Sequence, residues 1–444
     1  MNWQEIYKSR LMSPAEAAKI VHSGDCICNP LALGQVSSPV VNAITDRANE
    51  LDDVLMQFSM TFRPYDVFRP EFRKKFELIF CFYNSPIMKA MAKSEWANFF
   101  PLQAADSGKK LEHRKRSMGP LRLGTMTQVT PPDDHGFVSL GLDAFSTESQ
   151  MDNCEWIIGQ VNPNMPRTYG QTKFHVSRFT AFVEQEEMIF PLPAPEASDI
   201  EKKMAEHVMT LIHDRDCIQI GIGGVPAMIS NLLLESGLKD LGIHTEMVPM
   251  GAHRLVDKGI VTGKYKKVNT GKIVTSFCLG DQELYNFVSE NPMCEFHPAS
   301  YTNRPMVIAQ EDNVVAVNGS IEVDLTGQIV SECIGNTMVS GSGGQLDFAI
   351  GAFWSNGGRA INLVPSTGHN GETSRIVPYI THGARVTVPR HYAGFIVTEY
   401  GIADLYGRSE PERAEALIKI AHPKFREELE KGARERGLLK KKYH

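Results

Sequence analysis

No run of 18 apolar residues occurs in this chain of 444 residues, so the sequence offers nothing to span a bilayer as a helix. The opening, Met1-Asn2-Trp3-Gln4-Glu5, lacks the basic-then-apolar layout of a secretion signal. Basic residues are not in excess. The 46 Lys and Arg against 52 Asp and Glu leave a net charge of −6, which excludes a general pull toward nucleic acid or an anionic membrane surface. Cysteine is sparse and scattered, with eight residues at 26, 28, 81, 154, 217, 278, 294 and 333. Cys26-x-Cys28 has the wrong spacing for a zinc or redox pair, and no His or Cys cluster follows it. Neither a Gly-x-Ser-x-Gly elbow nor a His-Glu-x-x-His zinc motif is present. The absences leave a reduced, cytoplasmic, metal-free protein as the expectation, with no nucleic-acid or membrane partner.

What is present is ordinary globular composition, 42% hydrophobic and 22% charged, over a length that suits two to three domains. Helix and strand signals alternate. Ser13 with Glu16 makes a capping box for a helix over 14–21, with Pro14 at its first position. A second helix is expected over 38–47. Strands are expected near 25–28, 54–58, 78–81 and 156–158. That order is the pattern of an α/β protein with mostly parallel sheets. The stretch Phe190-Pro191-Leu192-Pro193-Ala194-Pro195-Glu196-Ala197 carries prolines in alternation and reads as an extended linker. Domains are therefore expected at 1–189 and 198–444, joined through 190–197. After the linker, Ser198 with Glu201 caps a helix whose Met204, Val208, Leu211 and Ile212 form the buried stripe.

The second half echoes the first. Asp216-Cys217-Ile218 repeats Asp25-Cys26-Ile27, each after a helix and before a helix led by proline. Asp133-x-x-Gly136 has its counterpart in Asp324-x-x-Gly327. Echoes in one order with similar separations point to a duplicated α/β unit. The differences between the halves then carry information, and the second half alone has Gly221-Ile222-Gly223-Gly224 and Glu246.

Glu246 falls within an apolar stretch, Ile243 to Val248, that reads as a strand. A carboxylate there is costly unless it is paired or lies at a strand end facing a cleft. On this stretch alone it could equally be a salt-bridged structural residue. Gly221-x-Gly223-Gly224 stands between a strand and a helix, where free N–H groups suit an anion. It lacks the third glycine of a dinucleotide fingerprint, and no P-loop lysine follows. It could also be no more than a tight strand–helix turn. A second loop, Ser340-Gly341-Ser342-Gly343-Gly344, precedes another helix and could set a backbone N–H against an oxyanion. Asn318, closing the strand Val314 to Val317, could donate a second bond or simply turn the chain.

Together these motifs resemble the acetyl-CoA hydrolase/transferase family of class I CoA-transferases, with the 4-hydroxybutyrate-using branch nearest. The resemblance rests on Gly221-Ile-Gly-Gly-Val-Pro226, His244-Thr-Glu-Met247, Ser340-Gly-x-Gly-Gly-Gln-x-Asp-Phe348, and Tyr400-Gly-Ile-Ala-Asp404 through Ile420-Ala-His-Pro423. It covers essentially the whole chain. It implies two tandem similar domains with the active site at their interface, and a homodimer or larger assembly. It implies Glu246 as the nucleophile of a ping-pong reaction through a glutamyl-CoA thioester, with Asn318 and Gly344 as oxyanion donors. Coenzyme A, a substrate here, would be held by Gly221, Ile222, Gly223, Gly224, Val225, Ser340, Gly344 and His369. No metal is implied. His369 replaces the family's lysine, and Val248-Pro249-Met250-Gly251 replaces its Ser-Asp-Gly. CoA would pass from a short-chain acyl-CoA, such as acetyl- or succinyl-CoA, to a small acid such as 4-hydroxybutyrate or butyrate. Arg63 and Arg254 could instead hold the distal carboxylate of succinate or itaconate, since an arginine fork matches that group. The same scaffold could also serve an acyl-CoA hydrolase, or a catalytically silent protein that only binds CoA.

Overall fold

The computed structural model describes residues 2–93, 96–117, 119, 121–192, 196–221 and 223–439. Pro193, Ala194 and Pro195 of the expected linker lie outside them, as does Ile222 of the first glycine loop. Two compact units are formed: Met1–Leu192 with Val274–Thr302, and Pro193–Ile273 with Asn303–His444.

In the first unit the strand order is Ala181–Glu184, Trp156–Val161, Leu123–Val129, Cys26–Leu31, Val54–Ser59, Phe76–Phe82, Ala97–Phe99, and every neighbouring pair is parallel. The Cys26–Leu31 and Leu123–Val129 strands are buried along their whole length, as a parallel sheet covered on both faces requires. The capping box of Ser13 and Glu16 forms, although its helix stops at Ala18. Helix Ser38–Thr45 carries Pro39 in its first turn, where the missing N–H costs nothing.

In the second unit the order Phe395–Thr398, Arg359–Leu363, Val314–Gly319, Cys217–Ile220, Gly242–His244 is parallel throughout, and Gly401–Asp404 joins Phe395–Thr398 antiparallel. Strand for strand this is the order of the first unit. The capping box at Ser198 forms, and Met204, Val208 and Ile212 are buried.

The sequence echoes have a structural meaning. Asp25 and Asp216 are each 1% exposed and each accept a backbone N–H three residues back, from His22 and His213 at 3.0 and 2.7 Å. Each also meets an arginine at 2.6 Å, Arg122 and Arg359 respectively, which compensates an otherwise costly buried charge. Asp133 accepts the N–H groups of His135 and Phe137, and Asp324 those of Thr326 and Gln328, in the same two-and-four spacing. The repeated aspartates are therefore pins that start a strand or close a turn in both units. Among the described residues no helix is long and apolar enough to cross a membrane.

Candidate active site

In open parallel sheets, ligands bind beyond the carboxyl ends of the strands. The second unit gathers its unusual residues there. The strand expected over 243–248 ends at His244, and Glu246 sits in the bend that follows. A carboxylate belongs at that position rather than inside the strand, because beyond the last ladder bond the side chain is released from the covered face of the sheet.

Two donors converge on Glu246. The Asn303 side-chain amide donates to Glu246 Oε2 at 2.5 Å, and the Gly344 backbone N–H donates to the same carboxylate. Gly344 is the N-cap of helix Gln345–Trp354, so its N–H is one of the groups a helix leaves without an internal partner. A Cβ built on Gly344 would lie 2.0 Å from Glu246 Oε2 and 2.1 Å from Asn303 Nδ2. Gly344 has φ −96°, a conformation open to any residue, so its glycine is a matter of space and not of backbone freedom.

The carboxyl group titrates high, at about 7 against an ordinary value of 4.5. Burial is the first cause, opposed by the Asn303 hydrogen bond; the charge of Asp347, fully buried in the first turn of the same helix, adds to it, and the Gly344 N–H opposes it. Loss of solvation thus outweighs two good hydrogen bonds. Asn303→Ala removes the larger opposing influence, so the acid limb of kcat/KM should move up by about 1 to 2 pH units, the range a hydrogen bond to a charged group commands. A pH–rate profile checks it; an unmoved limb would separate Asn303 from the ionisation of Glu246.

Asn318 lies at the end of its strand, but its amide exchanges two hydrogen bonds with Gln219, at 3.0 and 3.3 Å. The amide brought to the carboxylate is that of Asn303, which sequence reasoning misses. Asn303 is fully buried in the short break between Ala299–Thr302 and Pro305–Ile308. The only cue in the sequence is an Asn ahead of Arg-Pro, which also marks an ordinary turn.

Gly221, Gly223, Gly224 and Val225 connect strand Cys217–Ile220 to helix Gly224–Glu235. Gly223 has φ +136°, which only glycine adopts freely. Across a small cavity Gly221, Gly223, Pro226 and Ser230 face Met247, Pro249 and Met250, the residues just after Glu246. The glycine loop therefore faces the segment that directly follows the nucleophile candidate. Ser340 is held by its N–H to the Glu332 carbonyl at 3.1 Å, four residues before Gly344. His369 is exposed in the turn between Thr367–Gly368 and Thr373–Ser374. Arg254 is exposed on helix Ala252–Asp257 and among the described residues reaches only Asn231, at 3.5 Å. Arg63 is different. It is buried in the first unit and ion-paired to Glu187, with the Phe190 ring 5.9 Å away. A carboxylate from its own chain already meets its Nη1. Among the described residues no group of three or more His, Cys, Asp or Glu is placed to hold a metal.

A doubled parallel α/β scaffold with a half-buried glutamate set against a glycine loop defines a class, and comparison with known proteins gives the family. Residues 1–193 match the acetyl-CoA hydrolase/transferase N-terminal domain and residues 280–433 its C-terminal domain. The chain belongs to the acetyl-CoA hydrolase/transferase family. It is 36% identical to a succinyl-CoA:cyclohexane-1-carboxylate CoA transferase of Geobacter metallireducens, over 98% of this chain and 97% of that one. It is 35% identical to the 4-hydroxybutyrate coenzyme A transferase of Clostridium kluyveri, over 97% and 98% of the two chains. The crystal structure of RipA from Yersinia pestis superposes with a TM-score of 0.90 at 31% identity, covering 99% of this chain and 100% of that one.

Proposed function

We propose that this protein moves coenzyme A from a short-chain acyl-CoA to a small monocarboxylic acid, such as 4-hydroxybutyrate or butyrate, with Glu246 as covalent nucleophile. Membership of the family makes it an enzyme of CoA thioesters, and full-length relatives named as CoA-transferases support the transfer. The observation that carries the mechanism is the convergence of Asn303 Nδ2 and the Gly344 N–H on one half-buried carboxylate.

In this reading the Glu246 carboxylate attacks the donor thioester carbonyl and expels CoA as thiolate, leaving an acyl-glutamyl anhydride. The thiolate then attacks the glutamyl carbon of the anhydride, releasing the donor acid and forming a glutamyl-CoA thioester. The acceptor carboxylate opens that thioester to a second anhydride, and the thiolate attacks its acceptor carbonyl to give the new acyl-CoA and free Glu246. No proton moves in any step, so no general base is needed. In the second and third steps the oxyanion develops on the glutamyl oxygen itself. Asn303 and Gly344 already donate to that carboxylate, which supports them as the preorganised donors. The role that the resemblance gives to Asn318 accordingly passes to Asn303.

The acceptor is taken to be monocarboxylic because Arg63 is already ion-paired to Glu187 and Arg254 lies exposed. Borohydride added with an acyl-CoA should reduce the glutamyl thioester at Glu246 to an alcohol and end activity, with the change located by peptide mapping. A label at another residue, or inactivation without any label, would remove the mechanism. Thioester loss at full rate without an added carboxylate would point to hydrolysis instead.

A further inference from the structure

Half-buried arginines of the second unit find acceptors. Arg359 meets Asp216 at 2.6 Å, Arg413 donates to the carbonyls of Thr326 and Arg390, and Arg436 meets Asp324 at 3.2 Å. Arg375 stands apart. Its backbone is fixed, since its N–H donates to the Ser366 carbonyl at 3.0 Å and its carbonyl accepts from Val323 at 2.9 Å. Ser366 is itself held twice by Glu399, through its N–H at 3.0 Å and its hydroxyl at 2.5 Å. Yet the half-buried guanidinium has no carboxylate or carbonyl partner among the described residues, and burial alone depresses its basicity with no opposing charge. Its nitrogens keep contact with solvent, so the fork can take an acceptor that arrives from solution.

The guanidinium lies against Gly368, where an added Cβ would come 3.1 Å from Arg375 Nε and 3.3 Å from Thr373 Oγ1. The same turn carries His369, the position that the family resemblance links to CoA. Both strand ends that anchor it, at Leu363 and Thr398, belong to the sheet that carries Glu246's strand.

We infer that Arg375 is a substrate-binding residue whose guanidinium takes an oxyanion of the bound substrates, a phosphate of coenzyme A or the carboxylate of the acid. The planar fork suits either group. The inference rests on the CoA-transferase reading, and two arms separate the sources. Wild type, Arg375→Ala and Arg375→Lys, each as full chain with its melting temperature recorded, are compared on acyl-CoA, acyl-3′-dephospho-CoA and acyl-pantetheine, and on a series of acceptor acids. A phosphate contact raises KM for acyl-CoA about tenfold or more in Arg375→Ala and leaves acyl-pantetheine unaffected. A carboxylate contact raises the acceptor KM by a similar factor with every thioester. In either case Arg375→Lys restores part of the loss, because the charge returns without the fork. Unchanged KM values in both arms, or losses that only follow a fallen melting temperature and are the same in Arg375→Lys, overturn the inference. Calorimetric binding of CoA and of 3′-dephospho-CoA distinguishes a failure of the wider reading. If wild type gives no borohydride-trapped glutamate yet binds CoA in an Arg375-dependent way, the anion contact stands and the transfer reaction falls.

Discussion

Glu246→Gln is expected to lose CoA transfer by several orders of magnitude while gaining stability above neutral pH. The loss follows from chemistry, since an amide cannot form the anhydride on which every later step depends. The gain follows from linkage. A carboxyl that titrates at about 7 folded and 4.5 ordinarily holds its proton more tightly in the folded state. Its ionisation therefore costs the fold nothing below pH 4.5, a growing amount between 4.5 and about 7, and a constant amount above. Glutamine avoids that cost and can still accept from Asn303. Denaturant unfolding at pH 8 should show the variant more stable by about 1 to 3 kcal/mol, with the difference shrinking toward pH 5. Near-normal turnover by a variant shown by mass to be free of deamidation would end the nucleophile assignment. Equal stability of the two proteins at pH 8 would end the claim that the carboxylate is held against its solvation.

Gly344→Ala should lower kcat/KM by about 100- to 1000-fold, the cost typical of losing one oxyanion donor, with little change in melting temperature. The new methyl would overlap both Glu246 Oε2 and Asn303 Nδ2, so it must drive the carboxylate away from its two donors. The helix behind it exchanges a tolerated N-cap residue for a poorer one, a cost of about 1 kcal/mol that is small for a chain of this size, and keeps its remaining bonds. Steady-state kinetics with a thermal melt separates the two effects. Turnover within threefold of wild type would mean that the nucleophile does not work from the position it holds here.

Some of this is legible in the sequence, and the reason differs by residue. The capping boxes at Ser13 and Ser198 are contacts three residues apart, so spacing alone reveals them. The duplicated aspartates are visible as a pattern, although their function as pins appears only with the N–H groups they accept. Glu246 is visible because a carboxylate in apolar surroundings is anomalous, but its strand ends sooner than apolar content suggests. Apolarity measures burial, and a buried loop at a sheet edge has the same composition as a strand. Arg63 and Asn303 escape sequence reasoning for one cause. The partner of Arg63 is 124 residues away and that of Asn303 is 57, and no local pattern reports who meets whom.

The first unit is not finished where its continuous stretch ends. Ala144 and Cys278 bond backbone to backbone with Ser276 and Leu142, Gly280 accepts from Leu192, Ala299 donates to Phe145, and the hydroxyl of Tyr285 reaches the Phe190 carbonyl. A ribosome releasing this chain from the N-terminus would therefore extrude residues 193–273 before the last pieces of the first unit exist. The seven-stranded sheet, from Cys26 to Glu184, is complete by then, but these closing bonds must wait for a segment whose synthesis comes about 80 residues later, several seconds at ordinary elongation rates. During that interval the backbone groups of Leu142, Ala144, Phe145, Phe190 and Leu192 lack the partners they have in the finished fold.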